Sequence, residues 1–419
     1  MRILLTNNTL SMRAGSELYI RDIALELLAR GHEPIAYSRN LGQVALELRE
    51  ASVLVVDDLT DLSQPPDIIH AQHHLETVTA LTRYPNVPAL CVCHGWLPSQ
   101  EAPLEHPRIH RYLAVDKLVE ERLVQECGIA SKDVFVCLNF VDLKRFRQRP
   151  HLPKKAKRAL VFSNYIDEGN VLPALRTACT ELGLSLDICG SLAGTAHAKP
   201  EELLGEYDIV FAKGRAALEA AAVGAAVIVC DAAGIGQMTT SANLRHFRDY
   251  NFGLRLLRDP VTVEAIKAQV NRFDSDDTLK VTSAIRAEIG LSLAVDKLLE
   301  HYQATISAHQ QAVISAEDEA RALSHYLRYG PILSDFSRDK TAELNQQIGQ
   351  LQVKAQHSAS YAQSLKSQVE HLEHQVKKLE AQQTNLTAVL NSFQSQNRRL
   401  QSNVRKLELL KATIHDKSK

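Results

Sequence analysis

The chain has 419 residues, 45% of them hydrophobic and 23% charged, with a formal net charge of -1. At roughly 150 residues per domain this length holds two domains and an extension, and the near-neutral balance speaks against a nucleic-acid partner. The seven cysteines are odd in number, and most lie inside apolar runs (Cys91, Cys93, Cys137, Cys189, Cys230). They read as buried, reduced thiols rather than as a disulfide framework.

The opening MRILLTNN reads as a strand followed by polar turn residues, not as a basic leader running into an apolar core. No apolar run reaches the roughly 18 residues needed to span a bilayer. The expected location is therefore the cytoplasm, at most peripheral to the inner face of a membrane.

Up to residue 147, short β-rich runs alternate with helical patterns. The predicted strands are RILLT (2–6), EPIAYS (33–38), SVLVVDD (52–58), DIIHAQ (67–72), ALCVCHG (89–95), RYLAVD (111–116) and DVFVCLN (133–139). Between the first two, ELYIRDIALELLARG places Leu18, Ile20, Ile23, Ala24, Leu27 and Leu28 on one helical face. Continuous apolar strands alternating with helices predict a parallel sheet covered on both sides. Residues 148–158 combine prolines with a basic run and read as a linker. The alternation restarts in 159–306, with ALVFSN, LSLDICGS, YDIVFAKG and AAVIVCD as strands and LSLAVDKLLEHYQATI as a closing helix. The fold class is thus α/β, with two doubly wound Rossmann-like domains whose ligands belong at the C-terminal ends of the strands.

A helical connector is predicted over 307–340 and a coiled coil over 341–415. With Ile348 as a and Leu351 as d, the d positions run Leu351, Ser358, Leu365, Leu372, Leu379, Leu386, Phe393, Leu400, Leu407 and Ile414, and Ala355, Ala362, Val369, Val376, Leu390 and Val404 occupy a. Polar Gln383, Asn397 and Lys411 also fall at a, which suits a register-specific parallel dimer. The expected partner is a second copy of the chain. From 341 onward 11 Lys and Arg face 6 Asp and Glu, an excess that permits peripheral contact with an anionic membrane.

Three segments carry candidate chemistry. Gly15-Ser16 opens a helix after a loop, where backbone N–H groups can approach an anion. His94 and Gly95 end an apolar strand beside Trp96, and His73 and His74 end the preceding one; an imidazole there can orient or deprotonate a hydroxyl. Lys213-Gly214-Arg215 closes a strand and opens a small-residue helix, a combination suited to a diphosphate, with Glu219 one turn inside for ribose hydroxyls. Cys91, Cys93 and His94 have no second ligand cluster at zinc spacing, so no metal site is expected.

In this order the segments resemble the GT-B glycosyltransferases, in particular glycosyltransferase family 4, over residues 1 to about 306. AGSELYIRDIALELLARGH is similar to that family's opening loop and helix, PDIIHAQHH to its histidine-ending strand, VCHGW to its His-Gly turn, and GRAALEAAAVGAAVIVCD to its donor-site helix. LNFVDLKRF resembles its Asn-Gly-Val-Asp segment, with Phe140 in place of glycine. The resemblance implies transfer of a sugar from a nucleotide diphosphate sugar to an acceptor hydroxyl of a glycan or lipid-linked molecule, with retention and without a metal or other cofactor. It also implies that the last helix crosses back to the first domain. On matching positions His94 is the catalytic candidate; Gly15, Ser16, Lys213, Gly214, Arg215 and Glu219 are donor-binding; His73, His74 and Trp96 lie on the acceptor side.

Two departures stand out. The family pairs two glutamates eight positions apart, and Phe211 occupies the first position. Its Arg and Lys after the first strand of the second domain have no counterpart in VFSNYIDEGN. These departures favour a rival reading, a catalytically impaired binding or scaffolding protein that works through its coiled coil. A sugar-nucleotide epimerase of the same architecture would need acidic pairs that the sequence does not offer.

Overall fold

The computed structural model describes residues 1–95 and 99–416, with side chains described outside 329–364 and 412–416. It divides into two units, Met1–Asp335 and Phe336–Lys419.

The first unit begins with β1 (Arg2–Thr6), α1 (Gly15–Ala29), β2 (Glu33–Tyr37), α2 (Gln43–Glu50), β3 (Leu54–Val56), β4 (Ile68–Ala71), α3 (His74–Arg83), β5 (Ala89–Cys93), β6 (Ile109–Ala114), α4 (Lys117–Glu121) and β7 (Val134–Val136). These strands pair in parallel in the order β3-β2-β1-β4-β5-β6-β7. Ile3, Leu4, Leu5, Ile68, Ile69 and Leu90 are fully buried, as strands covered on both faces require. Because β1 lies beside β4, the winding reverses there and a crevice opens at the C-terminal ends of the two strands.

The second domain contains β8 (Arg158–Phe162), α5 (Leu172–Glu181), β9 (Ser185–Cys189), α6 (Pro200–Leu203), β10 (Ile209–Ala212), α7 (Gly214–Val223), β11 (Ala226–Asp231), β12 (Gly234–Met238), α8 (Leu244–Asp249), α9 (Val263–Val270) and α10 (Ser275–Glu288). Its strand order is β12-β11-β10-β8-β9, and β12 runs antiparallel to β11. The sequence reading does not anticipate β12. GIGQM has two glycines in five residues and looks like a turn, yet Ile235 and Met238 are buried in the core. Ile209 and Phe211 enter the core on one face of this sheet, and Val210 and Ala212 the core on the other. Small side chains (Ala217, Ala220, Ala221) bring α7 close to the strands. Gly224 ends α7 at φ 105°, a left-handed cap that a Cβ would strain.

Helix α11 (Leu291–Gln311) starts at the second domain, but Leu291, Val295, Leu298 and Tyr302 join the core of the first. The anchor of α11 is a buried hydrogen bond of 2.7 Å between Tyr302 Oη and His70 Nδ1.

Helix α12 (Ala316–Asp416) follows after four residues. Ser315 and Asp318 cap it reciprocally: the Asp318 N–H donates to Ser315 Oγ at 3.1 Å, and the Ser315 hydroxyl donates to Asp318 Oδ2 at 2.6 Å. Its first turns dock on the first domain. Glu319 pairs with the buried Arg108 at 3.1 Å, and Tyr326 Oη lies 2.9 Å from His74 Nδ1. In the second unit the apolar heptad positions from Leu365 to Leu407 are 42–70% exposed. The heptad positions before Leu365, and Ile414, lie outside the described side chains. Among the described residues, no helix is long and apolar enough to cross a membrane.

Burial pushes the His70 pKa down from 6.5 to about 3, so the ring is neutral in the fold. Between those values the unfolded chain holds a proton that the folded chain refuses. Stability is therefore complete above pH 6.5 and falls as the pH drops through this window. Going from pH 7 to pH 5 is expected to cost ~2 kcal/mol from this ring alone. Melting curves of wild type and His70→Gln across that range check it: the variant should fall less steeply, and equal slopes count against the assignment.

Candidate active site

The loop after β1 and the turns after β4 and β5 meet at the C-terminal edge of the first sheet. There the Asn8 N–H donates to His73 Nδ1 at 3.0 Å. That bond leaves the ring proton on Nε2, which faces Glu101 Oε1 at 3.3 Å. The other oxygen of Glu101 accepts the His94 N–H at 2.9 Å. Burial alone would raise the Glu101 pKa, but the His73 hydrogen bond and the two imidazoles lower it, so it is a carboxylate. His73 holds this position at φ 61°, a strained conformation for a non-glycine residue that three converging segments enforce.

His94 stands at the centre. Its ring meets Tyr19 edge-on with centroids 4.6 Å apart, and Tyr19 packs on Phe140 at 5.2 Å. Burial depresses the His94 pKa to about 4, which keeps the imidazole neutral at physiological pH. Its Nε2 is buried and has no partner among the described residues. Gly15 and Ser16 begin α1 as expected; the Ser16 hydroxyl donates to Glu17 at 3.0 Å, and a Cβ on Gly15 would meet open space.

Two expectations for the acceptor side change. His73 has both ring nitrogens engaged by the protein, so it positions the loop rather than offering a free base. His74 turns away to Tyr326 and takes no part in the cluster. Trp96 lies outside the described residues.

In the second domain β10 passes into α7 through Lys213 alone. Gly214 adopts φ 61°, and its N–H donates to the Phe252 carbonyl at 2.8 Å. Lys213 and Arg215 then splay apart instead of forming one diphosphate cradle. Lys213 pairs with the buried Asp231, which also accepts from Ser163 Oγ at 2.9 Å, and its ammonium lies 5.0 Å from the Tyr165 ring centre. Arg215 donates through Nε to Glu219 at 2.8 Å and crosses the cleft to pair with Asp22 of α1. Glu219, expected to meet ribose, is thus held by a guanidinium. Burial raises its pKa despite Arg215.

Asp22 collects Arg21 at 2.6 Å and Arg145 at 3.4 Å as well as Arg215. Burial works against its charge, yet Arg215 and Arg21 outweigh it and lower its pKa. Arg145 also forms a two-pronged pair with Glu201 at 3.1 and 3.2 Å. Glu101, Asp22 and Asp231 were missed as site residues. Most of their partners (Arg145 and Arg215 for Asp22, His73 for Glu101, Ser163 for Asp231) are distant in sequence, and nothing local distinguishes these carboxylates from solvated ones.

Phe211 is fully buried in β10. The position aligned with the family's first glutamate is therefore inside the sheet, and a carboxylate there would lie in the apolar core.

Residues 13–145 match the profile of Glycosyltransferase Family 4. No curated protein matches the chain. A solved glycosyltransferase from Rickettsia africae is similar at 16% identity and a TM-score of 0.52, over 73% of this chain and 98% of that one. Anabaena HepE, solved in complex with UDP, is similar at 13% identity and a TM-score of 0.53, over 73% of this chain and 100% of HepE. The fold is GT-B. Its N-terminal half carries the family-4 resemblance, and the GT-B cleft is where His94 and Arg215 converge. Among the described residues, no group of three or more His, Cys, Asp and Glu could hold a metal ion.

Removing the carboxylate that three guanidinium groups share should be costly. Asp22→Ala is expected to destabilise by about 3–5 kcal/mol, because it strands buried positive charge. In the double variant Asp22→Ala/Arg215→Met the loss should be smaller than the sum of the two single losses. Urea unfolding of the four proteins measures this coupling; additive losses would show that Asp22 and Arg215 do not interact.

Proposed function

We propose that this protein is a glycosyltransferase that moves a sugar from a nucleotide diphosphate sugar to an acceptor hydroxyl in glycan or surface-polysaccharide synthesis. The observation that carries the reading is the neutral, half-buried His94 at the GT-B cleft, with an unpartnered Nε2 and a backbone fixed by Glu101. The family-4 match over that domain supports it, and so does HepE, which has been solved with UDP-glucose.

In this reading the anomeric carbon–oxygen bond breaks with its electron pair leaving on the diphosphate. The acceptor oxygen adds at that carbon and passes its proton to the departing diphosphate oxygen. His94 Nε2 orients a hydroxyl of the transferred sugar, and its neutral state suits that task better than a charged ring would. Retention of the anomeric configuration rests on the family resemblance. Independence from metal belongs to the same proposal, with the α7 N-terminus helping to stabilise the leaving group.

A transfer assay with UDP-, GDP- and TDP-sugars tests the reading. His94→Ala is expected to lose at least about tenfold in kcat/KM while melting like wild type. Turnover should survive EDTA. No donor hydrolysis or transfer by the folded wild-type protein would turn the case to the second reading, a binding or scaffolding protein. That alternative draws on Lys213 and Arg215, each already neutralised by a buried carboxylate.

The protein we propose is also a homodimer joined through α12. Leu365, Leu372, Leu379, Leu386, Phe393, Leu400 and Leu407 fall at successive d positions and are all exposed in the single chain. A stripe of this kind needs a partner helix to leave water. In a parallel, in-register pair Gln383 and Asn397 each meet their own copy, whereas an antiparallel pair would press them against apolar d residues. Light scattering is expected to give twice the chain mass for the full-length protein and the single-chain mass after truncation at residue 335; a full-length monomer refutes the dimer.

A further inference from the structure

The segment that covers the start of α7 holds buried polar atoms to which the site described above gives no role. Arg248, in the last turn of α8, is 6% exposed. Its Nη2 donates to the Asn139 carbonyl at 3.2 Å, while Nε and Nη1 are buried with no partner among the described residues. Asn251 is also 6% exposed, and its Oδ1 is buried without a partner. The backbone then runs through positive φ at Asn251 (50°) and Phe252 (52°), which is strained for an asparagine and more so for a phenylalanine.

This segment lies in the cleft between the two domains. The Phe252 carbonyl accepts the Gly214 N–H at the first turn of α7. On the other side, Lys117 pairs with Asp249 at 2.7 Å and Arg255 with Glu121, so the segment abuts α4 of the first domain. Both neighbouring elements begin at C-terminal strand ends, where a GT-B cleft meets its ligand. Arg248 has no carboxylate within ion-pair distance among the described residues: Asp249 is taken by Lys117 and Arg245, and Glu288 contacts it only through its field. Burial accordingly lowers its pKa to about 10, as expected for a charge without a counter-ion.

Leaving two charged donors and one amide acceptor unpaired in the interior is costly, and such groups are normally satisfied. We propose that Arg248 and Asn251 form a donor-binding subsite, in which the two free Arg248 N–H groups take a phosphate oxygen and Asn251 Oδ1 accepts from a hydroxyl next to it. The ligand is thus a phosphate ester carrying a sugar. The inference rests on the nucleotide-sugar reading and deepens it. Lys213 and Arg215 must break buried ion pairs before they can meet a phosphate, whereas Arg248 has none to break.

Calorimetry on the full chain with UDP, GDP, TDP and UDP-glucose tests this, alongside melting curves for each variant. Arg248→Gln is expected to weaken nucleoside diphosphate binding at least tenfold, and Arg248→Lys, which keeps the charge but loses the fork, to weaken it less. Asn251→Gly keeps the positive φ and removes the acceptor. If the hydroxyl belongs to ribose, it weakens UDP and UDP-glucose alike; if it belongs to the transferred sugar, only UDP-glucose suffers. Wild-type affinity in a folded Arg248→Gln protein overturns the subsite and leaves the nucleotide reading intact. Should that variant fail to fold, undiminished affinity in both Arg248→Lys and Asn251→Gly overturns it equally. A wild-type protein that binds none of these nucleotides overturns the nucleotide reading itself.

Discussion

Asp22 is a buried carboxylate on the third turn of the first helix, and three guanidinium groups from three separate segments close on it. Two of them do not belong to its own helix: Arg145 comes from the chain that leaves the first sheet, and Arg215 from α7 of the second. Asp22 is thus one of the points that tie the two domains together, beside the Lys117–Asp249 and Arg255–Glu121 pairs. A buried ion pair adds little net stability over apolar packing, but once built it tolerates few alternative geometries. That makes it a means of fixing how two independently wound sheets face each other across a cleft.

The same economy explains the histidines. His70, His73, His74 and His94 lie within 25 positions and look alike in the sequence. The fold assigns them four different roles. His70 anchors the returning helix through Tyr302, His73 clamps the loop after β1 to Glu101, and His74 receives Tyr326. His94 alone keeps a buried nitrogen without a partner. A histidine's function is set by what reaches its second nitrogen, and those partners come from residues 8, 101, 302 and 326.

This is also the measure of what the sequence could disclose. The strands were legible because sheets buried on both faces demand continuous apolar runs, and the coiled-coil pattern because a seam must repeat. β12 was not, since its two glycines resemble a turn and only pairing with β11 makes it a strand. Gly15, His94 and the Lys213–Glu219 stretch stand out in the sequence as candidates because they lie where a strand hands over to a helix or turn. Glu101, Asp22, Asp231 and Arg248 were not. Each is an ordinary charged residue until a distant segment buries it, and no local spacing encodes that burial.

The direct passage of β10 into α7 bears on every one of these residues. Only two residues separate Phe211 from Gly214, and Phe211 is part of the sheet and serves its core. The positive groups that remain near α7 then divide into two kinds. Lys213 and Arg215 carry carboxylate partners and contribute little net field to an incoming anion. For Arg215 to serve a phosphate, the phosphate must replace Asp22, and that exchange would loosen one of the contacts that tie the domains together. Arg248 stands outside that exchange, because its charge is already buried and unopposed. The cleft thus holds one buried guanidinium without a counter-ion among the described residues and one committed to an interdomain ion pair.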